Sequence, residues 1–307
     1  MKIDLMLFLK GAAMGAADVV PGVSGGTVAF ITGIYERLLN ALKRLSPEAL
    51  LVLKKDGIAG FWQYIDGWFL LTLFSGIATS ALSLVRVISY LLTHFPHLLW
   101  AFFFGLILIS SWIVGKQIEK WSSTAVVALI VGTVVAFTVT QLSPTSVDPT
   151  LPIIFGAGLI AICAMILPGI SGSFLLLVMG MYAHVIHAIK SFDLVFIAVF
   201  GVGCIVGLLS FSHLLSWLFT HYRSVTLALL TGFLLGSLNK VWPWKETVST
   251  RVNSQGEEVP FMQINVSPAQ FELATQQDPQ WIFCIVLALS GISLVWVLER
   301  VFGAKAE

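Results

Sequence analysis

Apolar residues fill the chain in long blocks, and polar or charged residues gather at the joints between them. Six blocks run uninterrupted: about 68–92, 98–115 and 122–142 in the first half, and about 193–219, 224–240 and 281–299 in the second. Each is close to the roughly 20 residues a helix needs to cross the core of a bilayer. Two further blocks, about 5–45 and 151–190, are broken in the middle by "PGVSGGT" at 21–27 and "PGISGSF" at 168–174. Proline and glycine end a helix at such a point, and Ser24 and Ser171 are suited to cap the next one. The pattern predicts, twice over, a broken helical hairpin followed by three spans.

The two halves align. With Pro21 on Pro168, Gly33 meets Gly180, Tyr35 meets Tyr182 and Lys43 meets Lys190, an offset of 147 positions. The match resumes at an offset of 127, where Gly76 meets Gly203, Thr93-His94 meets Thr220-His221, and Gly105 meets Gly232. The first copy therefore carries extra residues, about 47–65, which predict an amphipathic helix on the membrane surface. The expected organisation is a first repeat over 1–145 and a second over 146–307, the latter with a polar loop at about 241–280.

Charge decides whether the hairpins cross the membrane or turn back. If both re-enter, an odd number of spans follows each, and the repeats have opposite orientation. Twelve Lys and Arg residues then fall on the side of the N-terminus. Four (Lys190, Lys240, Lys245 and Arg251) fall on the other, and Arg86 lies within a span. The positive-inside rule favours this arrangement, with both termini cytoplasmic. The expected fold class is an all-α polytopic membrane protein made of two inverted-topology repeats.

Composition agrees: 57% of residues are hydrophobic and 11% charged, with a mean hydropathy of +0.93, against about 25% charged in a soluble domain. There is no long basic run, which argues against nucleic acid. Cys163, Cys204 and Cys284 form no CxxC pair, so neither a metal site nor a disulfide framework is expected. The start "MKIDLMLFLKGAAMGAADV" has the look of a leader. Lys10 interrupts its apolar run, however, and the segment has a counterpart deep in the chain, so it is read as part of the first hairpin.

Irregular backbone at membrane depth is tolerated only when buried in protein or lining a wet cavity. Two tips entering from opposite faces would meet near the midplane, the layout of many secondary transporters. Free N–H groups and serine hydroxyls at helix starts suit an anion, phosphate above all. The candidate phosphate ligands are Ser24, Gly25, Gly26 and Thr27 of the first turn and Ser171, Gly172 and Ser173 of the second, together with Arg86 and its repeat mate His213. A packing turn is the alternative for the PGxSG stretches, snorkelling for Arg86, and a structural histidine for His213. Asp18, one turn before Pro21, faces Met165 in the alignment and is a candidate for proton or Na⁺ coupling or for a structural ion pair. Glu36, Arg37 and His184 are candidate gating residues at the mouths. No cofactor or metal is expected, and pairing of two copies is left open.

The paired "PGVSGGT" and "PGISGS" turns and the N-terminal "KGAAMGAADVVPGVSGGT" resemble the domain of unknown function 368 family over nearly the whole chain. The resemblance implies translocation of undecaprenyl phosphate, the C55 carrier lipid of bacterial envelope and peptidoglycan synthesis, across the cytoplasmic membrane for recycling. Undecaprenyl pyrophosphate phosphatases are similar in plan but carry a "PGxSRS" turn. Gly25 and Gly172 stand at its arginine position here, so a transporter is expected and not an enzyme. The alternatives are a phosphatase-like membrane enzyme of that plan and an ion-coupled carrier of a small soluble anion.

Overall fold

The computed structural model describes residues 4–19, 23–142, 147–252 and 258–302. The first broken block becomes three helices, α1 (Leu5–Asp18), α2 (Gly25–Ile31) and α3 (Tyr35–Lys43). The surface helix α4 (Pro47–Tyr64) follows, then α5 (Gly67–His94), α6 (Pro96–Lys116) and α7 (Ser123–Gln141). The second half repeats the order with α8 (Leu151–Ile166), α9 (Gly172–Val178), α10 (Tyr182–Ser191), α11 (Leu194–His221) and α12 (Arg223–Ser237). The strands β1 (Lys245–Val252) and β2 (Glu258–Asn265), a short α13 (Pro268–Thr275) and α14 (Trp281–Phe302) complete the chain.

Five described helices, α5, α6, α7, α11 and α14, are long and apolar enough to cross a membrane. The block expected at 224–240 falls short. Its helix α12 has 15 residues, about 22 Å at 1.5 Å per residue, against a core of about 30 Å. It is buried along most of its length, from Thr226 to Ser237, so protein rather than lipid surrounds it. The chain is otherwise helical, and the polar loop adds a small strand pair to it. β1 and β2 form an antiparallel pair with Lys245 opposite Asn265 and a register shift near Ser249. Trp242 and Trp244 pin the cap, donating their indole N–H groups to Val266 O and Pro279 O, each at 2.9 Å.

The same contacts recur in both halves. α1 packs on α5, and α8 on α11. A Cβ on Gly11 would strike Leu73 O, and one on Gly158 would strike Phe200 O. A Cβ on Gly76 would strike Phe8 O, and one on Gly203 would strike Phe155 O. Each pair sits at the offsets of the sequence alignment, so one close glycine-mediated crossing is built twice. The remaining long helices pair across the halves, α6 with α14 and α7 with α12. The helix α4 is largely exposed, burying only Ala49 fully, and is broken at Gly57 (φ 68°).

The second element of each hairpin also bends. Gly33 ends the α2 turn and Gly180 the α9 turn, both at φ 71°, a left-handed conformation that favours glycine. The α9–α10 bend is 104°.

Candidate functional site

Ser24 caps α2, its hydroxyl accepting from Gly26 N at 3.1 Å. Ser171 caps α9, accepting from Phe174 N at 3.4 Å. Pro21 and Gly22 of the first turn lie outside the described residues. The two turns touch. Ser24 Oγ donates to Leu167 O at 3.1 Å, Gly169 N donates to Thr27 Oγ1 at 3.1 Å, and Tyr35 OH donates to Ile166 O at 3.1 Å. Gly26 is required at this contact, because a Cβ there would stand 2.6 Å from Ile166 O. Gly169 holds φ 83° against the backbone of Leu234.

In the first turn, the donors expected to hold an anion are occupied in this conformation. Gly25 N donates to Asp18 Oδ1 at 2.7 Å, so a carboxylate of the same hairpin already sits on the start of α2. Ser24 and Thr27 are 1% and 0% exposed, and their hydroxyls serve the contact between turns. In the second turn Ser171 and Ser173 hydrogen-bond each other at 3.0 Å. Gly172 packs against Ala161 O and Met165, where Gly25 packs against Asp18.

Arg86 is not brought to the turns. It is exposed on α5, two residues from Ile88, which lines an apolar cleft together with Leu91 and Phe95. Two residues are about 200° around a helix, so Arg86 points away from that cleft. His213 is exposed on α11, with Nδ1 2.7 Å from Leu209 O of its own helix. Arg37 makes a two-pronged pair with Asp66 at 2.8 and 3.1 Å and lies over the Phe69 ring. Glu36 takes Arg223 at 2.6 Å. His184 is half-buried on α10. No group of three or more metal-ligating side chains occurs among the described residues.

Two features were not legible in the sequence. On one side of the paired turns two lysines converge. Lys240 Nζ lies 4.3 Å from the centre of the Phe174 ring, in the first turn of α9. Lys245 Nζ lies 4.1 Å from that of Trp100 and donates to Lys240 O at 2.5 Å. Burial, and then the neighbouring Lys240 charge, hold the Lys245 ammonium well below the usual lysine range. Elsewhere two cavities share the wall formed by Ile31 of α2. One, about 620 Å³, is an apolar cleft between α1, α2, α5, α6 and α14. The other, about 790 Å³, carries Glu36, Lys116, Arg223, Glu299 and Arg300.

Broken helical hairpins that meet inside a membrane bundle recur in many secondary transporters. The comparisons are more specific. The family model described as undecaprenyl phosphate translocase-like matches residues 14–259. A polyprenyl-phosphate transporter of Vibrio cholerae serotype O1 is 54% identical over 296 residues, 96% of each chain. A polyprenyl-phosphate transporter of Staphylococcus aureus is 32% identical over 254 residues, 76% of this chain and 85% of that protein. No solved structure matches the chain. The chain belongs to the undecaprenyl phosphate translocase-like family.

Proposed function

We propose that this protein carries polyprenyl phosphate, undecaprenyl phosphate in the first place, across the bacterial cytoplasmic membrane, returning the carrier lipid to the cytoplasmic leaflet. The observation that carries the reading is the contact between the two turns, in which Ser24 and Thr27 of one bind the backbone of the other. Glycine-mediated contacts repeated at fixed sequence offsets support two copies of one unit, and the bias of Lys and Arg supports opposite orientations with both termini cytoplasmic. In such a carrier the touching turns are a closed barrier, and parting them exposes N–H and hydroxyl donors to a phosphate. Asp18 is the coupling candidate, since an incoming phosphate competes with its carboxylate for Gly25 N–H. Proton or Na⁺ uptake at Asp18 would release that donor. Arg86 and His213 act, in this reading, only in a conformation that turns them inward.

Hydrolysis is not part of the proposal. Gly25 and Gly172 leave each turn without the arginine of the phosphatase-like motif, and diphosphate cleavage needs both a nucleophile and charge stabilisation. The test is transport in proteoliposomes of a fluorescent polyprenyl phosphate, read by protection from an impermeant quencher. In a cysteine-free background, Ser24→Cys with Leu167→Cys should stop transport on oxidation and regain it on reduction. Undiminished transport through a cross-linked pair would show that the turns need not part. Failure of the parent to move the lipid would overturn the transporter reading.

A further inference from the structure

We infer that the polar cavity of Lys116, Arg223 and Arg300 is a second phosphate headgroup site, with the polyprenyl chain lying in the adjoining apolar cleft. The inference rests on the transport reading and adds a station that the paired turns do not supply. Three cations reach this cavity from helix ends far apart in sequence: Lys116 from the end of α6, Arg223 from the start of α12 and Arg300 from the end of α14. Against them stand Glu36 and Glu299, which leaves an excess of one positive charge for an anion. Arg300 is already oriented, its guanidinium 3.8 Å from the centre of the Trp296 ring, and Glu36 holds Arg223 at 2.6 Å. A planar guanidinium held in this way suits phosphate oxygens, which it can grip in bidentate fashion.

The neighbouring cleft defines the rest of the ligand. Val28 and Ile31 of α2 and Val295 and Leu298 of α14 line the apolar cleft, while Ile31, Trp296, Glu299 and Arg300 of the same helices line the polar cavity. A free anion would have no use for the cleft, and a neutral lipid none for the cations. An amphiphile with a phosphate monoester head and an isoprenoid chain uses both. By the positive-inside rule the cations mark the cytoplasmic face, so this is where the carrier lipid is released or first engaged on that side.

The test is binding to the purified full chain in detergent, with farnesyl phosphate, farnesol and inorganic phosphate as probes. Farnesyl phosphate should bind at least about tenfold tighter than either of the others, one added factor of ten for each partial ligand completed. Arg300→Gln and Lys116→Gln should each weaken farnesyl phosphate about tenfold, the scale of one charge-assisted contact. Ala16→Trp, which fills the cleft, should bring farnesyl phosphate down to the level of inorganic phosphate and leave inorganic phosphate unchanged. Glu36→Gln should do the opposite and tighten both phosphates by freeing Arg223, a gain that a merely structural ion pair would not give. If Arg300→Gln does not fold, Arg300→Lys still reads the site, through a smaller loss caused by the missing fork. Parent-like affinity in both charge variants overturns the inference, and so does equal affinity for inorganic and farnesyl phosphate, which would mark a free-anion site. Transport separates the two readings. If the parent moves polyprenyl phosphate and the charge variants move it equally fast, this site is wrong and the transporter stands. If binding behaves as expected but the parent moves no lipid, the site stands and the transport reading falls.

Discussion

The first and second hairpins are built on the same frame and charged differently. Each has a seven-residue helix, a serine cap and a glycine bend at φ 71°. In the first, Gly25 abuts the Asp18 carboxylate; in the second, Gly172 abuts the Met165 side chain at the aligned position. The first turn is thus neutralised from within, its leading N–H already holding a carboxylate oxygen. The second has no such carboxylate, and Lys240 lies over Phe174 in its first helical turn. One backbone design can therefore carry two electrostatic roles, a turn that holds its own anion and a turn that stands beside a lysine.

The sharpest way to break the comparison is at Gly26, whose aligned residue is Ser173. The second turn accommodates a side chain there; the first cannot, because a Cβ would press on Ile166 O at 2.6 Å. Gly26→Val should cost about 3 kcal/mol, the upper range for overpacking, and abolish transport. Ser173→Gly should cost less than about 1 kcal/mol, the scale of a single neutral hydrogen bond. Thermal unfolding in detergent reads both. Equal losses would mean that the two turns are sterically alike.

Removing the built-in anion comes next. Asp18→Ala leaves Gly25 N–H without its partner and should destabilise by about 2 kcal/mol, within the range for hydrogen bonds to charged groups. Asp18→Asn keeps an acceptor and should cost less. If Asp18→Ala unfolds at the parent temperature, the carboxylate is not what holds the first turn.

Much of this frame was readable in the chain. The PG turns and the serine caps depend on local chemistry that a sequence displays, and the alignment offsets carry over to the pairing of Gly11 with Gly158; the second break of each hairpin, at Gly33 and Gly180, is added by the structure. The charges were harder. Arg86 looked like a site residue because it interrupts a span, yet its helical face is set by which neighbours pack, and Ile88 and Leu91 take the cleft side. Lys116, Arg223 and Arg300 looked like ordinary end-of-span charges. Only the pairing of α6 with α14 and the placing of α12 beside α6 bring them together, and no periodicity encodes which helices become neighbours. The hairpin of β1 and β2 is hard to read for a related reason, since polar and apolar residues alternate only weakly along KETVSTRV and EVPFMQIN.

The lysine side of the comparison can be tested through pH. Lys245 has its folded value lowered by burial and by Lys240, so between that value and the ordinary 10.5 the unfolded chain binds more protons than the folded one. Stability should therefore rise as pH climbs through this window. Lys245→Met should flatten the rise and stabilise the protein at neutral pH by on the order of 1 kcal/mol, burial relief being partly offset by the lost contact with Trp100. Unfolding temperatures of parent and variant between pH 7 and 10 check this. Parallel curves would show that Lys245 is not the group responsible.

The smallest expected effect lies in the first arm of the second hairpin. Gly156 and Gly158 are two residues apart on α8 and so lie on opposite sides of it. A Cβ on Gly158 would strike Phe200 O of α11, as one on Gly11 would strike Leu73 O of α5 in the first hairpin. A Cβ on Gly156 meets nothing within 4 Å, and its aligned residue in the first hairpin is Leu9, 48% exposed. Gly156→Ala should therefore stabilise by about 0.5–1 kcal/mol, the helix preference of alanine over glycine, with transport unchanged. Gly158→Ala should destabilise, because the crossing of α8 and α11 would have to open. A gain at both positions would mean that this crossing is loose. A loss at Gly156 would mean that its open face is covered in the membrane by something other than lipid.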